Sequence, residues 1–152
     1  MGAVTVVVHC HGTFDMLHWG HLVMLQHARS LGDILIVTLT ADKYVAAFKG
    51  PGRPVFKEHQ RAAMLRALAC VDDVRIINSP SAEPAIRQVK PNIYVKGKEY
   101  DGRLAEQRLV ESFGGKVVFH HDDEASLIKS TNLLRYLKEE HAREPAGASQ
   151  PI

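Results

Sequence analysis

The sequence predicts an α/β fold, a doubly wound parallel sheet of five strands with helices on both faces, and three observations carry that reading. Apolar strand-like runs alternate with helical patterns along the whole chain, which demands right-handed crossovers between parallel strands. The first run, Val4-Thr5-Val6-Val7-Val8, is continuous and β-branched, as a strand covered on both faces requires. The 152 residues are 45% hydrophobic, enough for one domain with a sizeable core and too few for two. The pattern is Rossmann-like.

Taken in order, a strand over about 4–11 delivers the chain to a glycine turn at Gly12. Leu22, Leu25, Ala28 and Leu31 then recur at helical spacing and place a helix over about 19–31. A second strand follows at 33–40. The stretch Ala47-Phe48-Lys49-Gly50-Pro51-Gly52-Arg53-Pro54-Val55 reads as a mobile loop, because two prolines and two glycines exclude a helix or strand interior. Lys57-Glu58-His59-Gln60-Arg61 opens a helix at 57–70 with Ala62, Leu65 and Ala69 inward. Strands at 73–78, 92–96 and 116–120 alternate with helices at 82–89, 103–113 and 131–141. Residues 1–141 form the domain, and 142–152, with linker composition, form a disordered tail or a connection to a further catalytic domain.

Composition removes several function classes. The 19 basic and 17 acidic residues are mixed along the chain, so nucleic acid is not an expected partner. Cys10 and Cys70 are too isolated for a disulfide scaffold, which points to a reducing, cytoplasmic setting. No apolar run approaches the ~20 residues of a membrane span, and no secretory signal opens the chain.

The chemistry concentrates in Gly12-Thr13-Phe14-Asp15-Met16-Leu17-His18-Trp19-Gly20-His21, where a strand hands two histidines to the first turn of a helix. At i and i+3 they share a face, beside free N–H groups and a helix dipole that favour anions. Each imidazole can donate a hydrogen bond to a phosphate oxygen; capping or solvated histidines are the plainer alternative. His9, His11, His18, His21 and His27 also raise a zinc reading, but no third ligand or cysteine follows with metal-site spacing, and no protein metal ligand is assigned. Lys49 and Arg53 bracket the loop, where a cation can close over a triphosphate. Lys96 and Gly97 lie at a strand's carboxyl end, facing the expected crevice. Ser130 and Thr131 precede the last helix, as an N-cap or as a phosphate seat supplemented by Lys129. His120-His121-Asp122-Asp123-Glu124 reads as a solvated acidic turn.

The segment GTFDMLHWGH resembles the GTFDxxHxGH signature of the cytidylyltransferase-like nucleotidyltransferases, and the basic loop, the EHQR helix start, the VKGKEY segment and the Ser-Thr turn follow in that family's order. The resemblance implies attack of an acceptor phosphate on the α-phosphorus of a nucleoside triphosphate, with Mg²⁺ accompanying the nucleotide and with pyrophosphate leaving. It implies catalytic roles for His18, His21, Lys49 and Thr131. Nucleotide contacts fall to Gly12, Thr13, Phe14, Gly20, Arg61, Lys96, Gly97 and Ser130, and an acceptor contact to Asp15. A homodimer is the expected assembly. The opening motif favours CTP as donor, with glycerol 3-phosphate or a hydroxyalkylphosphonate as acceptor. VKGKEY resembles the corresponding VKGGDY segment of ADP-heptose synthases and favours ATP with heptose 1-phosphate as the alternative; a catalytically silent nucleotide-binding module is the third. Two positions depart from the cytidylyltransferase pattern: Asn132 stands where a second threonine is expected, and the upstream arginine is replaced around Ala125.

Overall fold

The computed structural model describes residues 2–126 and 129–143. Five parallel strands, β1 (Val7–Gly12), β2 (Ile34–Thr40), β3 (Asp73–Ile77), β4 (Ile93–Gly97) and β5 (Lys116–His120), lie in the order β3-β2-β1-β4-β5. Between them run α1 (Trp19–Ser30), α2 (Asp42–Lys49), α3 (Glu58–Arg66), α4 (Glu83–Val89) and α5 (Gln107–Ser112), and α6 (Asp123–Ser126) and α7 (Ser130–Arg143) follow β5. Consecutive Val8, His9 and Cys10 are all inaccessible, which confirms a first strand covered on both faces. Leu25 and Ala28 of α1 and Ala62 and Leu65 of α3 pack with Leu35, Val37 and Leu39 of β2 in the larger core, while Ile86, Tyr94 and Val110 build the smaller one.

Side chains cap the strand entries at the far end from the site. The amides of Val6, Leu35 and Val7 each donate at 2.7 Å to the side-chain oxygens of Asp33, Asp72 and Asn92. Winding reverses between β1 and β4, so the carboxyl ends of these two neighbours open a crevice.

Several boundaries differ from the sequence expectation. β1 starts at Val7 because Val4, 81% exposed, has no strand beside it. The expected loop begins later, since Ala47-Phe48-Lys49 completes α2, a helix that the Gly-Pro run concealed. Gly50, at φ 86, stops it by donating its N–H to the Ala46 carbonyl, a conformation that suits glycine. α3 ends at Arg66 and α5 starts at Gln107, the preceding Lys98–Tyr100 being a short 3₁₀ turn. α7 continues through Arg143, two residues into the expected tail, whose remaining residues 144–152 lie outside the described ones. Among the described residues no helix is long and apolar enough to cross a membrane.

Candidate active site

A cavity of about 800 Å³ opens at the carboxyl ends of β1 and β4. Of the residues expected at the site, His18, His21, Lys49, Thr131, Gly12, Thr13, Phe14, Gly20, Lys96, Gly97, Ser130 and Asp15 all border it, and Arg61 does not.

His18 is the extended N-cap of α1 and His21 its third residue. Their rings stack 3.8 Å apart at 20°. The His18 amide donates to Nδ1 of His21 at 3.4 Å, which leaves the His21 proton on Nε2. Burial, then the neighbouring His18 and Lys49, push His21 down to about 3 against the pull of Asp15. Burial and Lys49 likewise lower His18. Both rings are therefore neutral donors at pH 7, held where an anion would meet them.

The loop feeding this pair has two non-glycine residues in the left-handed region, Phe14 at φ 51 and Met16 at φ 53, each costing about 1–3 kcal/mol. Two buried contacts hold them. Asp15, 1% exposed, accepts from the Phe56 amide through Oδ1 at 3.0 Å, and through Oδ2 from the Val55 amide at 2.8 Å and Arg53 Nε at 2.9 Å. Burial would raise the Asp15 carboxyl, but these amides and the guanidinium outweigh it and hold it below the usual carboxylate range. Its oxygens are thus committed inside the protein, in contrast to the acceptor contact expected of it. Arg61, fully inaccessible, donates to the carbonyls of Phe56 (3.0 Å), Thr13 and Thr40 (2.8 Å) and to Asp42 Oδ1 at 2.8 Å. It makes no wall of the cavity; the nucleotide contact expected of it gives way to bracing of the Thr13 loop from behind.

Arg53 also donates to Ser130 Oγ at 3.0 Å, so one side chain ties the β1–α1 loop to the start of α7. The sequence flagged Arg53 as a loop cation, and nothing in it revealed this tie. Lys49 sits close by: desolvation, then Arg53 and Lys129, lower its ammonium against the pull of Asp15. Cations crowded into a concave wall destabilise one another until an anion arrives, and the N-terminus of α7 at Ser130 adds to that field.

Across the crevice, Lys96 Nζ donates to the His11 carbonyl at 3.1 Å and lies 4.5 Å from the centre of the Tyr100 ring. Desolvation lowers Lys96, and Glu106 is foremost among the groups opposing it. Gly12 leaves room for Phe14, whose ring would stand 3.1 Å from a β-carbon there. The Phe14 ring in turn packs 5.3 Å from His21. A second cavity of about 280 Å³ shares His11, Gly12, Thr13, Lys96 and Tyr100 with the first and adds Thr40, Ser81 and Glu106. Tyr100, which borders both cavities, and Glu106, which borders the smaller one, were not anticipated, since no local pattern marks them.

The histidine-rich strand forms a ladder. Thr38 Oγ1 lies 2.7 Å from His9 Nε2 and 2.8 Å from His11 Nδ1, and Thr40 Oγ1 lies 3.2 Å from His11 Nε2. Burial pushes both histidines down to about 3. Among the described residues no three His, Cys, Asp or Glu side chains converge to hold a metal ion. Asp122 and Asp123 also border the larger cavity.

Residues 9–138 match the cytidylyltransferase-like family. Relatives named bifunctional protein HldE are 42% identical over 112 residues in Syntrophotalea carbinolica (73% of this chain, 23% of the relative). The match is 35% over 133 residues in Desulfatibacillum aliphaticivorans (87% and 27%) and 43% over 113 in Streptomyces coelicolor (74% and 24%). The chain spans about a quarter of the length of these relatives. Among solved structures, the lipopolysaccharide core biosynthesis protein of Thermoplasma volcanium is similar at TM-score 0.65 and 29% identity, covering 78% of this chain and 98% of that one. A pantoate-β-alanine ligase from Francisella tularensis shares the fold at TM-score 0.55 and 16% identity, over 96% and 74%.

Proposed function

The chain belongs to the cytidylyltransferase-like family and is a nucleotidyltransferase, and from that premise we propose that it transfers AMP from ATP to a sugar 1-phosphate of the heptose type, releasing pyrophosphate. One observation carries the chemistry: the stacked His18–His21 pair, Lys49, the Lys129–Thr131 helix start and Lys96 face a single cavity. The HldE relatives and the VKGKEY segment support this donor and acceptor. CTP with glycerol 3-phosphate or a hydroxyalkylphosphonate is the second reading, favoured by GTFDMLHWGH. Fusion to a further catalytic domain, a homodimeric assembly and a cytoplasmic setting belong to the same proposal, the first supported by the bifunctional naming of the relatives.

The acceptor oxygen attacks the α-phosphorus as the bond from that phosphorus to the β-phosphate bridging oxygen breaks, and the electron pair leaves on pyrophosphate. The acceptor is already an anion, so no base is needed and no enzyme-bound intermediate forms. What the site must overcome is repulsion between two anions and the charge growing on the leaving group. His21 Nε2–H and His18 donate to phosphate oxygens. Lys49 and Lys129 neutralise the pyrophosphate at the α7 N-terminus beside Ser130 and Thr131, and Lys96, for which the resemblance implied a nucleotide contact, instead steadies the acceptor phosphate from the wall between the cavities. Mg²⁺, beside Asp122 and Asp123, would screen the triphosphate.

The experiment pairs each of ATP, CTP, GTP and UTP, in Mg²⁺, with a sugar 1-phosphate, glycerol 3-phosphate and a hydroxyalkylphosphonate, following pyrophosphate and product mass. Release with ATP and the sugar 1-phosphate is expected. Release confined to CTP with a small acceptor would install the second reading, and release with no pair would leave a nucleotide-binding module.

A further inference from the structure

The two cavities share a wall at Lys96 and Tyr100, and that junction constrains what the smaller one holds. An acceptor whose phosphate rests beside Lys96 and faces the larger cavity has its body in the smaller one. At about 280 Å³ this space is near the lower end of small-molecule sites, roughly 300–1,000 Å³, which fits a single ring. Beyond Lys96 its lining offers no second Lys or Arg; it offers the hydroxyls of Thr40 and Ser81, the Glu106 carboxylate and the Phe48 ring. Such a wall repels a second anionic group and binds hydroxyl donors.

Glu106 sits at the N-cap of α5, half-buried, and among the described residues its carboxylate makes no side-chain hydrogen bond or salt bridge within the protein. Thr40 completes the wall in a way that suits a hydroxyl. Its Oγ1 is the last rung of the His9–Thr38–His11 ladder, and neutral imidazoles let that ladder run in either direction. Thr40 can therefore donate to a ligand hydroxyl or accept from one. We propose that Glu106 is the specificity-determining residue for the acceptor, reading the hydroxyls of a neutral, ring-sized body whose phosphate lies at Lys96. This rests on the transfer reading for the position of the phosphate, and it assigns the body of the acceptor a chemistry that excludes short alkyl chains.

The test measures binding apart from turnover. Hexose 1-phosphate and ethyl phosphate are titrated by saturation-transfer NMR into the wild-type protein, Glu106→Gln and Glu106→Ala, with ATP affinity and Tm as controls. Hexose 1-phosphate should weaken ~10- to 100-fold in Glu106→Ala and less in Glu106→Gln, since a hydrogen bond to a charged group is lost. Ethyl phosphate and ATP should bind as before. Unchanged hexose 1-phosphate binding would overturn the proposal. So would an equal loss for both phosphates, because Glu106 would then act only through Lys96 or the fold, and so would a wild-type protein that binds neither. Glu106-dependent sugar binding without pyrophosphate release from any nucleotide would instead sink the transfer reading and leave this one standing.

Discussion

His21 donates from Nε2 because its Nδ1 is occupied by the His18 amide, and that division of labour makes the two nitrogens experimentally separable. A glutamine amide reaches the Nε2 position and an asparagine amide only the Nδ1 position. His21→Gln should therefore keep turnover within about tenfold of wild type, while His21→Asn should lose ~100- to 1,000-fold, the usual cost of one transition-state donor. Equal losses in the two variants would place the working nitrogen elsewhere. The pH dependence follows from the same contacts. With His21 pushed to about 3 and His18 lowered from the ordinary imidazole value, neither ring gains its proton as pH falls from 8 to 6.5, so kcat/KM should show no histidine inflection at or above pH 6.5. At this scale the sequence was readable where a side chain reaches the cavity from within its own motif, as His18 and His21 do. It misled at Asp15 and Arg61, polar residues in suggestive places whose partners, Arg53, Val55, Phe56 and the Thr13 and Thr40 carbonyls, come from distant loops.

Elements were legible by type, and their ends less so. β5 matches its expected bounds, and α1 ends one residue early, because apolar spacing dominates those segments. α2 escaped because only Val45 is fully buried on a short helix followed immediately by Gly50-Pro51-Gly52. The strength of α3 likewise lies in what its Arg61 braces: α2 through Asp42, β2 through Thr40 and the β1–α1 loop through Thr13. Arg61→Ala should cost about 2–4 kcal/mol, since it leaves the buried Thr40 carbonyl and the part-buried Thr13 and Asp42 acceptors unpaired. Denaturant unfolding measures this. A variant as stable as wild type but weakened in nucleotide binding would return Arg61 to the ligand.

For the whole molecule, the order β3-β2-β1-β4-β5 turns separate sequence signals into one site. Parallel strands send every carboxyl end the same way, and the reversal beside β1 opens the space that the His18 turn, the Lys96 strand end and the Ser130 helix start enclose. Alternating elements made the parallel, doubly wound sheet, but not its strand order, legible in advance. The second cavity was not, because Thr40, Ser81 and Glu106 meet only after β2, the loop before α4 and the start of α5 are folded together. The central claim is that the stacked histidines, as neutral hydrogen-bond donors to phosphate oxygens, stabilise the transition state of direct nucleotidyl transfer. Its most direct measurement is steady-state pyrophosphate release with Mg²⁺, ATP and a sugar 1-phosphate, all saturating, for wild type and a folded His18→Ala variant. The account predicts a ~100- to 1,000-fold lower rate in the variant; equal rates would contradict it.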